Sequence, residues 1–196
     1  MERNLKFIFA SDSFKGSLSS KEAAELLTKA AKAVFPDCIC VGVPVADGGE
    51  GTVDAVVSAA GGEMRPVTVC GPLMEKAESF YGVLPGGRAI IEMAAASGLP
   101  MVPEKKRNPL YTTTYGTGEL IFDALKSGYR DITVAIGGSA TNDGGMGALR
   151  ALGVKFLDAD GNELSGIGED LEKVEKISMD GLIPEAKEAR FTVMCD

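Results

Sequence analysis

An eleven-residue run, Gly137-Gly138-Ser139-Ala140-Thr141-Asn142-Asp143-Gly144-Gly145-Met146-Gly147, is entered directly from the apolar stretch 132–136 and constrains the chain more than any other feature. Five of its residues are glycine, which lets the backbone turn sharply and approach a ligand closely. Ser139, Thr141 and Asn142 add short hydrogen-bonding groups, and Asp143 adds a carboxylate. Apolar Met146, Leu149 and Leu152 then predict a helix beginning near Asn142 or Asp143. A strand, a glycine-rich turn and a helix start together aim unpaired amide N–H groups and the positive end of a helix dipole at one spot. The run reads as an anion and metal site. A tight strand-to-helix turn with Asn142 as helix cap is the plainer alternative.

Composition bounds the chemistry. Glycine supplies 25 of 196 residues, well above the usual share of about 7%, which fits many tight turns at element ends. The formal net charge of −8 and the lack of a basic cluster beyond Lys105-Lys106-Arg107 argue against a nucleic-acid partner or an anionic membrane surface. With no histidine, a Ser-His-Asp triad and imidazole acid–base chemistry are excluded, leaving carboxylates and lysines to move protons. Cys38, Cys40, Cys70 and Cys195 form no CxxC pair, so they read as buried free thiols in a reducing, cytoplasmic setting rather than as zinc ligands. No signal-peptide pattern and no apolar run of membrane-spanning length is expected.

Along the chain, 5–10 reads as a strand buried on both faces, and a capping box of Ser19 and Glu22 opens a helix that stops before Pro36. A strand over 38–45 and a helix over 51–60, ended by Gly61-Gly62, continue the alternation into the start of a doubly wound parallel sheet. From Arg65 the texture changes. Strands over 67–70, 78–84 and 89–93, separated by Gly-Pro and Pro-Gly-Gly turns, predict an antiparallel meander, followed by a helix over 118–127 and a hairpin around 154–161. The expected fold is therefore two-domain α/β: residues 1–65 as the first, partial piece of a flavodoxin- or Rossmann-like parallel-sheet domain, and 66–196 as an inserted mixed α/β domain. A strand pattern over 190–196 breaks off at Asp196, so the chain is expected to be a truncated form of a longer protein.

Three further clusters lie at element ends. Asp12-Ser13-Phe14-Lys15-Gly16 follows the first strand, where Lys15 can reach a phosphate as a point charge; a hydrophilic turn capped by Asp12 reads equally well. Asp47-Gly48-Gly49-Glu50 follows the second strand and sets two carboxylates between glycines, a pattern suited to Mg²⁺ or a general base. Gly116-Thr117-Gly118 is either another anion-binding helix start, with Thr117 as cap, or simple capping, while 94–99 reads as packing with Ser97 its one polar candidate.

Taken together and in this order, Asp12 to Gly16, Ala46 to Thr52, Ala96 to Leu99, Gly116 to Leu120, Gly137 to Gly147 and Cys195-Asp196 resemble the motifs of the type 1 glycerate kinases across essentially the whole chain. The resemblance implies ATP-dependent, Mg²⁺-assisted phosphorylation of D-glycerate, most simply to 2-phosphoglycerate, in a two-domain cleft enzyme about twice as long as this chain. On the residues themselves, substrate and phosphate contacts are expected from Asp12, Ser13, Lys15, Gly48, Gly49, Gly137, Gly138, Ser139, Thr141, Asn142, Gly144 and Gly145. Lys15 would neutralise a phosphate oxygen, Asp47, Glu50 and Asp143 would hold the metal, and Asp47 or Asp196 would act as base. A homodimer is left open, and a non-catalytic phosphometabolite-binding module and a carboxylate-based phosphatase stand as the competing classes.

Overall fold

The structure is a computed structural model that describes residues 5–14 and 17–195. The chain divides into two compact units, 1–47 and 48–196. In the first, β1 (Lys6–Phe9) pairs in parallel with β2 (Ile39–Gly42), and α1 (Ser20–Val34) connects them. The capping box is present: the Glu22 amide donates to Ser19 Oγ at 3.2 Å, and the Ser19 amide donates back to Glu22 Oε2 at 2.8 Å. Hydrogen bonding to Ser19 holds the Glu22 carboxyl below its usual range. Burial on both faces of β1 is not observed, since Ile8 is 63% exposed.

The second unit begins with α2 (Thr52–Ala60), closed at Gly61 in the left-handed conformation with φ 72°. A five-stranded mixed sheet follows, built from β3 (Glu63–Cys70), β4 (Lys76–Leu84), β5 (Arg88–Glu92), β6 (Asp131–Ala135) and β9 (Arg190–Met194), in the order β3-β4-β5-β6-β9. The meander is there: β3–β4 and β4–β5 are antiparallel. The β5–β6 and β6–β9 pairs are parallel, which puts the carboxyl ends of three strands on one edge. Between these strands come the short α3 (Ala94–Ser97), α4 (Tyr115–Lys126), α5 (Met146–Ala151), a small antiparallel pair of β7 (Lys155–Leu157) with β8 (Lys176–Ser178), and α6 (Pro184–Glu188).

Strand β5 shows why the sheet is buried on both sides. Successive side chains of a strand point to opposite faces, and Ala89 and Ile91 join Tyr81, Leu120, Leu125 and Ile132 in the core under α4. Ile90 points the other way, onto Val53 and Val57 of α2 and Leu84. Gly82 makes the α2 contact possible, because a Cβ there would sit 2.5 Å from Val57 Cγ2 and 3.0 Å from Val53 Cγ1. This packing explains the division of the chain. The apolar face of α2 rests on β4 and β5, with Val53 and Val57 against Leu84 and Ile90, and compactness divides the chain at 47/48. Among the described residues, no helix is long and apolar enough to cross a membrane.

Candidate active site

The glycine run follows β6 and is held by its neighbours' backbones. The Gly137 amide donates to Gly48 O at 2.8 Å, the Ile136 amide to Met194 O at 3.1 Å, the Leu99 amide to Gly138 O at 3.0 Å, and the Ala140 amide to Ser97 O at 2.8 Å. A Cβ on Gly137 would lie 2.7 Å from the Gly49 amide nitrogen, so only glycine lets these two segments touch. The turns after β5 and β6, the end of β9 and the glycines at 48–49 therefore meet at one edge of the sheet. In open α/β sheets, ligands bind beyond the carboxyl ends of parallel strands.

Asp143 organises this loop. Its side chain is 1% exposed. Oδ2 accepts from the Thr114 amide at 2.7 Å, Thr114 Oγ1 at 2.8 Å and the Gly147 amide at 3.1 Å, and Oδ1 accepts from the Gly145 amide at 3.1 Å. A carboxylate has about four lone-pair positions, so N–H and O–H donors occupy this one. Asp143, expected as a metal ligand, accepts these bonds and so fastens the glycine run to the start of α4. The predicted helix begins later than Asn142, at Met146, because Gly144 and Gly145 adopt left-handed conformations first.

The other expected positions are distributed as follows. Gly48 and Gly49 are buried against Gly137, and Glu50 is exposed beside them, its amide 3.8 Å from where a Cβ of Gly138 would stand. Ser139 Oγ and Thr141 Oγ1 are 2.7 Å apart, and the Thr141 amide donates to Ser139 Oγ at 3.0 Å. Asn142 is exposed. Asp12, Ser13 and Asp47 belong to the first unit, where the Ser13 amide donates to Asp12 Oδ1 at 2.7 Å and Asp47 is exposed. Lys15 and Asp196 lie outside the described residues.

Gly116-Thr117-Gly118 is not an anion-binding helix start. It lies in the first turn of α4, which is preceded by Thr114; a Cβ on Gly118 would lie 2.7 Å from Ala151 Cβ of α5, and Thr117 Oγ1 pairs with buried Ser97 Oγ at 2.8 Å. Cys195, expected to be buried, is exposed.

Sequence reasoning passed over several residues here. Glu92, at the end of β5, is 2% exposed and accepts from the amides of Gly51 and Val53, each at 3.1 Å, which caps α2 from another element. Burial pushes its carboxyl above the usual range, against the lowering effect of those amide bonds. The three threonines 112–114, all buried, tie the start of α4 to the loop, with Thr112 Oγ1 donating to Ala140 O at 2.9 Å. Their run of three was a visible signal. Arg107, set aside as part of a surface cluster, lines a cavity of about 270 Å³ together with Leu99, Val102, Thr112, Ser139 and Thr141.

Mg²⁺ is usually held by one or two carboxylates with water and substrate phosphates. Among the described residues, no group of three or more acidic, cysteine or histidine side chains gathers to hold a metal ion.

The glycine loop lies at the parallel edge of a mixed α/β sheet, the edge at which open α/β sheets bind small ligands. Residues 7–196 match the glycerate kinase family. Glycerate 2-kinase of Escherichia coli K12 is 50% identical over 193 residues, which cover 98% of this chain and 51% of that protein. Glycerate kinase of Bacillus subtilis 168 is 49% identical over 193 residues, covering 98% and 50%. A crystal structure from Salmonella typhimurium LT2, assigned as glycerate kinase 2, superposes with a TM-score of 0.80 at 45% identity, covering 98% of this chain and 52% of that one. The chain belongs to the glycerate kinase family, and it spans about half the length of these relatives.

Proposed function

We propose that this chain carries the acceptor side of an ATP-dependent D-glycerate kinase, which transfers the terminal phosphoryl group to the 2-hydroxyl to give 2-phosphoglycerate in the cytoplasm. The supporting observation is the meeting of the 137–145 loop with the 48–50 and 97–99 turns beyond β5, β6 and β9. Phosphoryl transfer asks chiefly for positioning and charge neutralisation. The loop binds the anionic substrate through Ser139, Thr141 and Asn142, and the backbones of Gly48 and Gly49 brace it against the sheet edge. Lys15 neutralises a phosphate oxygen, and Asp12 and Ser13 add contacts to substrate or phosphate. Asp47 or Asp196 accepts the proton of the glycerate hydroxyl. Asp47 and Glu50 would hold the metal, directly or through water. Mg²⁺, when bound with ATP, neutralises charge on the phosphate oxygens.

In this reading, residues 1–65 form part of a flavodoxin-like domain that later segments of a full-length protein complete, and 66–196 form the inserted domain. The parallel β1–β2 pair and the large exposed apolar side chains Ile8, Leu26 and Val34 support it. A coupled assay tests the function: ADP release should require both D-glycerate and Mg²⁺–ATP, with the new phosphate ester on C2 by phosphorus NMR. Release of free phosphate would replace the kinase with a phosphatase. Glycerate and ATP binding without turnover would make the chain a non-catalytic binding module.

A further inference from the structure

We infer that Arg107 and the Ser139–Thr141 hydroxyl pair form the subsite that grips the carboxylate of a small hydroxy acid, and that this subsite rather than a phosphate cradle occupies the cavity beside the glycine loop. The inference rests on the kinase reading and deepens it by assigning one anionic group of the acceptor to particular side chains.

Three observations carry it. The first is charge. Arg107 is the one charged residue lining the cavity, and among the described residues no carboxylate lies within ion-pair distance of its guanidinium. Its Nε donates to Val102 O at 3.3 Å, which anchors the side chain and leaves the two terminal nitrogens as a fork of the kind that matches a carboxylate.

The second is the wall formed by Ser139 and Thr141. Ser139 Oγ and Thr141 Oγ1, 2.7 Å apart, share one hydroxyl proton between them, and the Thr141 amide donates to Ser139 Oγ. Whichever hydroxyl donates within the pair, one O–H remains for an outside acceptor. Buried Thr112, bonded to Ala140 O, ties the Arg107 segment to this wall, so the two donors are held on a common frame.

The third is size. Ligand sites run from about 300 to 1,000 Å³, and a cavity of about 270 Å³ falls just below them. It suits an acid of a few carbons. Leu99 and Val102 supply an apolar wall for the carbon skeleton.

Isothermal calorimetry on the 196-residue chain, with D-glycerate, glycerol, inorganic phosphate and ATP as separate titrants, tests this against Arg107→Met and Arg107→Lys. Hydrogen bonds to charged groups are worth enough that losing the fork should weaken D-glycerate binding by about 10- to 100-fold in Arg107→Met. Arg107→Lys, which keeps the charge and loses the fork, should fall between it and wild type. Glycerol, which lacks the carboxylate, should bind far more weakly than glycerate, and ATP affinity should not move. Because Arg107 is exposed, both variants should keep the wild-type urea midpoint. The inference is overturned if Arg107→Met binds D-glycerate within twofold of wild type, if glycerol binds as well as glycerate, if wild type binds no glycerate, or if inorganic phosphate shows the larger Arg107 dependence. Arg107-dependent glycerate binding without glycerate-dependent ADP release would sink the kinase reading and leave the subsite standing. Glycerate-dependent ADP release with an Arg107→Met KM equal to wild type would do the reverse.

Discussion

The two compact units bury their apolar residues very differently. In 48–196, Tyr81, Ile90, Ile91, Leu120, Leu125 and Ile132 are all at or below 1% exposed, and β5 is covered on both faces. In 1–47, α1 has only Ala23 and Ala24 buried, while Leu26 and Val34 are 54% and 70% exposed. Fully burying a Leu, Ile or Phe side chain contributes about 1.5–3 kcal/mol, so most of the hydrophobic stabilisation resides in the five-stranded sheet and its helices. That is where the glycine loop is mounted. A loop that must hold its amides in place gains from a frame that opens rarely, and the 137–145 run springs from the middle of that frame.

The largest expected effect is in hydrogen exchange. Amides of β5 and β6 should exchange only through global unfolding, and those of β1 and β2 through local opening, at least about 100-fold faster. Uniform protection across both parallel pairs would break the comparison.

Next in size is Asp143→Ala. It leaves the Thr114 amide and hydroxyl and the Gly145 and Gly147 amides without their acceptor, and since each buried unsatisfied group costs about 1–3 kcal/mol, urea unfolding should show a loss of about 3 kcal/mol or more. A loss below about 1 kcal/mol would mean that the carboxylate does not organise the loop.

Glu92→Ala should cost less, about 1–3 kcal/mol, because only the Gly51 and Val53 amides lose their partner. Its pH dependence has a definite sign. A carboxyl raised by folding binds its proton more tightly in the native state, so its contribution is full below the ordinary glutamate value of 4.5 and is lost as pH rises through the raised value. Glu92→Gln should remove that decline from the stability profile; an unchanged profile would show that the decline comes from elsewhere.

The same contrast governs what could be read from the sequence. Local signals were legible: the Ser19–Glu22 capping box, the turns of the β3–β4–β5 meander, and the strand–glycine–helix order around 132–152. What failed depended on contacts distant in sequence. Glu92 meets Gly51 across 41 residues, and Asp143 meets Thr114 across 29, and neither pairing leaves a periodic trace. A lone acid among glycines gives no sign in the sequence of the donors it will meet. Likewise Gly116-Thr117-Gly118 has the composition of an anion loop, but its glycines are there so that α4 can approach Cys70 and α5.

The most direct test of the site is a nitrogen–proton NMR titration of the chain with D-glycerate. The amides of 137–141 and 97–99 and the Arg107 side chain should shift together with one binding constant, while those of β7 and β8 stay still. Shifts confined to β7, β8 or α6, with the glycine loop unmoved, would contradict the placement of the acceptor at the edge of the five-stranded sheet.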